Sequence, residues 1–100
     1  RGVTALRILG LLLAASAQGA HADEEGRKLF TSVTPACALC HALKDAGAAG
    51  AVGPSLDELR PDRDRVVKAL KNGIGQMPAF VHLTEAQIQA LASYVEQATK

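Results

Sequence analysis

Apolar residues recur at intervals of three and four in three stretches of the chain, and short polar or glycine-rich segments separate them. The first stripe is Leu29, Phe30 and Val33, preceded by Asp23-Glu24-Glu25, where a capping-type residue and two acids suit the positive end of a helix dipole. This pattern predicts a helix starting at Asp23 and ending near Thr34-Pro35, because the residue before proline avoids the helical region. The second stripe, Val66, Val67 and Leu70, is opened by Pro61-Asp62-Arg63-Asp64 and stopped by Asn72-Gly73. The third is the best marked: Ile88, Leu91, Ala92 and Val95 share one face with Tyr94 at its edge. Thr84-Glu85-Ala86-Gln87 fits a capping box ahead of it, and Leu83 is placed to pack on Ile88 as a hydrophobic staple. No alternating pattern predicts a strand and no repeat interrupts the chain, so the expected fold class is all-α in one domain.

The segments between the stripes are as informative. Gly26 falls inside the first predicted helix, where glycine costs about 1 kcal/mol against alanine. Close approach of another helix would explain it, as would fraying near the helix start. Ala46 to Gly53 reads Ala-Gly-Ala-Ala-Gly-Ala-Val-Gly, a loop with little bulk that either passes close to a flat ligand or merely connects. Pro54 follows, then Ser55 and Leu56 lead into a short helical turn. Gly73 to Phe80 is a second loop, and it holds Met77, the chain's one methionine, between glycines and Pro78. Interleaved Asp62, Arg63, Asp64, Arg65, Lys68 and Lys71 read as a solvated helix face.

The N-terminal part does not belong to this pattern. Arg1 and Arg7 form a basic region, Ile8 to Ala15 an apolar run, and Ala20-His21-Ala22 a small-x-small site, which together read as a secretory signal peptide over residues 1–22. The apolar run is well short of the roughly 20 residues that a bilayer span needs. Cleavage would leave residues 23–100 as the exported domain. The whole chain is 48% hydrophobic but only 3% aromatic, with no Trp, so its core consists of small aliphatic side chains. A domain of this size needs a staple beyond its core. Without Arg1 and Arg7, nine basic residues face ten acidic ones, a near balance that offers no basic face for nucleic acid.

Cys37-Ala38-Leu39-Cys40-His41 supplies the candidate staple. It uses both cysteines and reads C-x-x-C-H, the attachment sequence of a c-type haem. In one helical turn the two thiols share a face and reach two vinyl groups, while His41 presents an imidazole to the iron. C-x-x-C alone also serves thiol redox and zinc sites, but neither a second pair of spaced ligands nor a βαβ pattern accompanies it. Met77 is poorly placed as core filler. A thioether on a punctuated loop can bind iron opposite His41, with His82 as the rival ligand. Pro54 has a carbonyl to offer the second nitrogen of a metal-bound imidazole.

The order Gly26-x-x-x-Phe30, Cys37-x-x-Cys40-His41, Gly53-Pro54-x-Leu56, Met77-Pro78 and Leu91-x-x-Tyr94 resembles the small class I cytochromes c across essentially all of residues 23–100. The resemblance implies three to five short helices wrapped round one covalent haem, with the first and last helices crossing at Gly26 and Phe30. It also implies that Pro54 accepts the proton of His41, that Leu56 packs beside the ring, and that Met77 is the sixth ligand. The chain departs from larger members in lacking the propionate-side tryptophan, which leaves Arg60 and Gln76 as candidate partners there, and in lacking a cationic docking face. Val52-Gly53-Pro54-Ser55-Leu56-Asp57-Glu58-Leu59 is similar to short bacterial cytochromes that take electrons from sulfite dehydrogenases. The expected function is a one-electron carrier, not an enzyme, passing electrons from a dehydrogenase to an oxidase or reductase. Its transfer surface would be framed by Ala36, Ala38, the Ala/Gly loop and Gly75 to Ala79. The alternatives are a dedicated haem subunit of one dehydrogenase, and an open-site haem enzyme or gas sensor in which Met77 is labile.

Overall fold

The computed structural model of the chain describes residues 17–100, with side chains from Asp23 onward. The leader read over residues 1–22 therefore lies outside the described residues apart from the backbone of its last turn and a half. Helix α1 covers Ala17–Ser32, so it begins earlier than its acidic start signal predicts and holds no acid in its first turn. Ala17, Gln18, Ala20 and Ala22 all favour helix, and only Gly19 opposes it, so nothing stops the helix on the N-terminal side of Asp23. The single turn α2 is Cys37–Cys40.

Two short strands then depart from the purely helical expectation. β1 (Ala42–Leu43) pairs antiparallel with β2 (Ala48–Ala49), Ala42 opposite Ala49 and Leu43 opposite Ala48. A 3-10 turn at Lys44–Ala46 joins them, and Gly47 at φ 64 reverses the chain in a conformation that glycine adopts without strain. Strands of two residues are too short to show an alternation. Helix α3 (Leu56–Leu59), α4 (Arg63–Asn72) and α5 (Glu85–Ala98) complete the fold.

The sequence signals at α5 act as read, whereas at α4 Pro61 lies ahead of the helix instead of in its first turn and Asp62 stands at the cap. Asp62 caps α4 by accepting the Arg65 N–H at 2.8 Å, and Gly73 follows its last residue. Thr84 and Gln87 form the reciprocal capping box of α5, at 3.1 and 2.9 Å. Leu83 packs on the core cluster that contains Ile88. Helix α5 lies between α1 and α4, with Ile88, Leu91, Ala92, Tyr94 and Val95 all buried. At the α1–α5 crossing Gly26 is covered by Tyr94 and Ala90: a methyl group on Gly26 would overlap Tyr94 Cβ and lie 2.7 Å from the Ala90 carbonyl oxygen. Phe30 meets the Tyr94 ring edge-on at 6.2 Å. The close crossing thus accounts for a helical glycine. Phe30, Leu43, Leu56, Leu70 and Phe80 extend the same core toward the loops.

Candidate functional site

The site is built from backbone contacts around α2. The His41 N–H closes the turn on the Cys37 carbonyl at 2.9 Å, and His41 itself takes an extended conformation, φ −115 and ψ 139. Both cysteines are free and half-buried. Burial pushes the Cys37 thiol up to about 11, so it stays protonated near neutral pH. Ala38 packs against the core cluster and is half-buried, while Leu39 is exposed. A helix of one turn has no periodicity from which to read its phase.

From His41 the chain runs out through β1 and returns through β2 to lie against the same residues. The Gly53 N–H donates to the Cys40 carbonyl at 2.7 Å. His41 Nδ1 lies 2.7 Å from the Pro54 carbonyl oxygen; since a carbonyl only accepts, Nδ1 carries the proton and the Nε2 lone pair is left for another partner. Small residues make this return possible. A methyl group on Gly50 would stand 2.6 Å from the Cys40 carbonyl carbon, and one on Gly53 would stand 2.6 Å from His41 Cε1 and 2.9 Å from Nδ1. The Ala/Gly loop thus runs against the imidazole of His41.

The outer end of this loop is tied down by three residues, Asp45, Tyr94 and Arg27, that lie far apart in the chain. Asp45 Oδ2 accepts the Tyr94 hydroxyl at 2.6 Å and the Arg27 guanidinium at 2.9 and 3.2 Å. Asp57 accepts the Lys44 N–H at 3.0 Å. The Tyr94 and Arg27 donors hold the Asp45 carboxyl below its usual range. Burial, and then the bond to Asp45, push the Tyr94 phenol up to about 12. No local pattern marks Asp45, which follows Lys44 as an ordinary surface pair would.

Met77 sits on a two-residue hairpin. The Ile74 N–H donates to the Met77 carbonyl at 3.0 Å and the Met77 N–H to the Ile74 carbonyl at 2.9 Å, around Gly75 at φ 55 and Gln76. Gly73 at φ 71 lets the chain pass close beneath it, where a methyl group would be 2.8 Å from the Met77 carbonyl oxygen. Phe80, buried, ties the far side through its N–H to the Leu70 carbonyl at 2.7 Å. Met77 and Cys37 both pack against the core cluster that includes Leu56. Cys37 and Met77 thus each border the hydrophobic core, of which Leu56 is a part, and Pro54 is set on His41.

Other candidates are placed elsewhere. His82 is exposed, with its ring 5.9 Å from that of Phe80. Arg60 Nε donates to the Thr99 carbonyl at 3.0 Å, which engages it at the end of α5, while Gln76 is exposed beside Met77. Among the described residues no three His, Cys, Asp or Glu side chains gather to hold a metal ion, so a zinc site on Cys37 and Cys40 would lack its remaining ligands. The donors that are present fit haem: two free thiols one turn apart, an imidazole with its Nε2 lone pair available, and a thioether. Among the described residues no helix is long and apolar enough to cross a membrane.

Comparison with known proteins agrees with this chemistry. A family profile described as cytochrome c oxidase, cbb3-type, subunit III matches residues 21–95. Among solved structures, the c-type cytochrome SorU from Sinorhizobium meliloti is similar at 50% identity and a TM-score of 0.77, over 79% of this chain and 92% of that one. No curated protein matches the sequence. The chain belongs to the cytochrome c family that this profile describes, as a small mono-haem protein whose cofactor is a covalently bound haem c.

Proposed function

We propose that the protein is a periplasmic one-electron carrier with His41 and Met77 as the two axial ligands. The observation that carries this reading is the 2.7 Å bond from His41 Nδ1–H to the Pro54 carbonyl, which fixes the tautomer and leaves the Nε2 lone pair for a metal. Haem supplies the ferric/ferrous couple. Cys37 and Cys40 would hold the haem through thioethers with Leu56 packed beside it, the His41 bond to Pro54 would make the imidazole a stronger donor, and Met77 Sδ, steadied by its hairpin, would supply the second ligand. A soft thioether favours the reduced metal and raises the potential, so electrons arrive from a dehydrogenase and leave to an oxidase or reductase. With both axial positions filled by protein, no position is open to substrate, and the protein transfers electrons without catalysing a reaction of its own.

The likeness to SorU, together with the Val52–Leu59 resemblance, supports a sulfite dehydrogenase as the donor. Residues 1–22 act as the export signal, and residues 23–100 are the working domain. A second reading follows from the family description, which names an oxidase subunit: the chain would then be resident in one complex, and it would co-purify with that complex.

The test is the absorption spectrum of the exported, haem-loaded protein in both oxidation states, beside that of Met77→Ala. A low-spin ferrous spectrum and a weak far-red sulfur-to-iron band in the ferric wild type, lost in the variant, are expected. A high-spin wild type, or a variant spectrum identical to it, would overturn the ligand assignment and turn attention to an open site or to His82.

A further inference from the structure

The segments joined by the His41–Pro54 contact are joined a second time. His41 Nδ1 lies 2.7 Å from the Pro54 carbonyl oxygen, and three residues further along each segment the Lys44 N–H donates to Asp57 Oδ2 at 3.0 Å. Both contacts span thirteen positions of the chain, so residues 41–44 and 54–57 run in the same direction with a rung at each end. Leu43 and Leu56, both buried, immediately precede the two residues of the second rung, and α3 packs on β1.

Pro54 has no N–H, so its carbonyl is held in place through its neighbours. On one side the Gly53 N–H is bonded to the Cys40 carbonyl at 2.7 Å. On the other side Asp57 sits on a fixed turn: Leu56 anchors it in the core, and the Leu59 and Arg60 N–H groups close it on the Ser55 and Leu56 carbonyls, each at 2.9 Å. The Arg60 side chain then ties the end of the turn to Thr99 at the end of α5. Lys44 opens the 3-10 turn, where its N–H has no acceptor within the turn, so an oxygen from outside satisfies it. Asp45, next in the chain, bonds to Arg27 on α1 and Tyr94 on α5. The outer turn is thereby held from both sides, and Asp57 sets the spacing between the His41 segment and the Pro54 segment. A helix-dipole role does not account for this carboxylate, because α3 is one turn long and Glu58 also places an acid there.

We propose that Asp57 is a positioning residue for the axial histidine: through the Lys44 amide it sets the distance between the Pro54 carbonyl and His41 Nδ1, and with it the donor strength of the imidazole. The inference rests on His41 being the ligand, as in the reading above, and adds a residue that tunes it. A short bond to Pro54 draws the Nδ1 proton toward oxygen, makes the ring more basic and favours ferric iron. A lengthened bond favours ferrous iron, so loss of the second rung raises the reduction potential although Asp57 acts only through the backbone.

Haem-loaded Asp57→Ala and Asp57→Asn are compared with the wild type by redox titration and by the NMR shift of the His41 Nδ1 proton in the ferrous protein. Asp57→Asn keeps a side-chain oxygen for the Lys44 N–H but not the charge. Asp57→Ala is expected to shift the ferric/ferrous equilibrium several-fold toward ferrous and to move the Nδ1 proton upfield as its bond lengthens. Asp57→Asn should keep both close to the wild type. Thr84→Ala, which weakens the cap of α5, should move neither. An unchanged potential or an unchanged proton shift in Asp57→Ala overturns the proposal. So do equal potential shifts in Asp57→Ala and Asp57→Asn, which would assign the effect to lost charge. A Thr84→Ala shift as large as that of Asp57→Ala overturns it as well, by assigning the effect to lost stability. Failure of His41 ligation looks different: the His41 ring protons of the wild-type ferrous protein then lack the strong upfield displacement that a haem ring imposes on an axial ligand.

Discussion

Replacing Tyr94 with Phe removes one hydroxyl and its 2.6 Å bond to Asp45 while keeping the ring that packs on Phe30. A hydrogen bond to a charged acceptor contributes about 1.5–3 kcal/mol. The lower end applies, because the Asp45 side chain is 40% exposed and keeps Arg27, so water can replace the lost donor. The expected loss is about 1–2 kcal/mol, a fall of roughly 5–10 °C in Tm for a domain of this size. The same bond makes stability depend on alkaline pH. The phenol is raised from 10.0 to about 12 in the folded protein, first by burial and then by Asp45, so the folded state keeps a proton that the unfolded chain releases. That contribution is complete below about pH 10 and disappears as pH rises to about 12. The shift is equivalent to about 3 kcal/mol at most, and solvent at the hydroxyl reduces this to about 1–2 kcal/mol. Tyr94 is the chain's one tyrosine, so phenolate absorption titrates a single group. Thermal melts of wild type and Tyr94→Phe from neutral to alkaline pH should converge above pH 10 and then cross, as phenolate and carboxylate repel. Equal neutral melting points, or a phenol that titrates at its ordinary value, would refute the reasoning.

Gly26→Ala forces a methyl group into Tyr94 Cβ and the Ala90 carbonyl, neither of which is the end of a flexible chain; overpacking of this kind costs about 1–3 kcal/mol, and the upper part is expected in denaturant titrations. Gly53→Ala places a methyl group 2.6 Å from His41 Cε1 and should displace the ring from Pro54, read as a shifted reduction potential and loss of the protected Nδ1 proton in NMR spectra. Thr84→Ala removes the acceptor for the Gln87 N–H and should cost about 1 kcal/mol in a thermal melt, with the reduction potential unchanged.

Helix α5 was legible in full because its rules are local: the capping box, the staple and the three-four spacing all lie within the same run of residues. The Pro61–Asp64 start signal and the Asn72-Gly73 stop made the extent of α4 legible for the same reason, although Asp62 as its cap was not read. Gly26 was readable as a cost that needed a neighbour, and the neighbour is Tyr94 and Ala90 on α5. The Pro54 contact came through the resemblance, with the thirteen residues that separate it from His41 giving no local sign. Asp45 could not be found at all, since its partners lie 18 residues before and 49 residues after it and only the tertiary fold joins them. The β1–β2 pair and the outward turn of Leu39 were hidden for a simpler reason: two residues of strand and one turn of helix are too short to carry a period.

Scarcity of bulk and exactness of the site have a common origin in this chain. Large side chains at positions 50 and 53 would hold the returning loop away from Cys40 and His41, and the Pro54 carbonyl would no longer reach Nδ1. The loop must therefore be small where it touches the imidazole, and it contributes little apolar area of its own. Its order has to come from its ends instead: Asp57 and the Arg27–Asp45–Tyr94 cluster hold the outer turn, while the Cys40–Gly53 bond holds the inner one. Covalent haem c then supplies the apolar bulk that alanine and glycine withhold, and the residues that make room for the ligand bond depend on the cofactor for their packing. On this account haem-free protein should lose order first in residues 42–54 and the Met77 hairpin, while the α1–α5 crossing, built on Gly26, Phe30, Leu91 and Tyr94, keeps its own contacts. Amide hydrogen exchange on haem-loaded protein and on a Cys37→Ala/Cys40→Ala variant measures the difference directly, and uniform loss of protection across both regions would show that the crossing has no stability of its own.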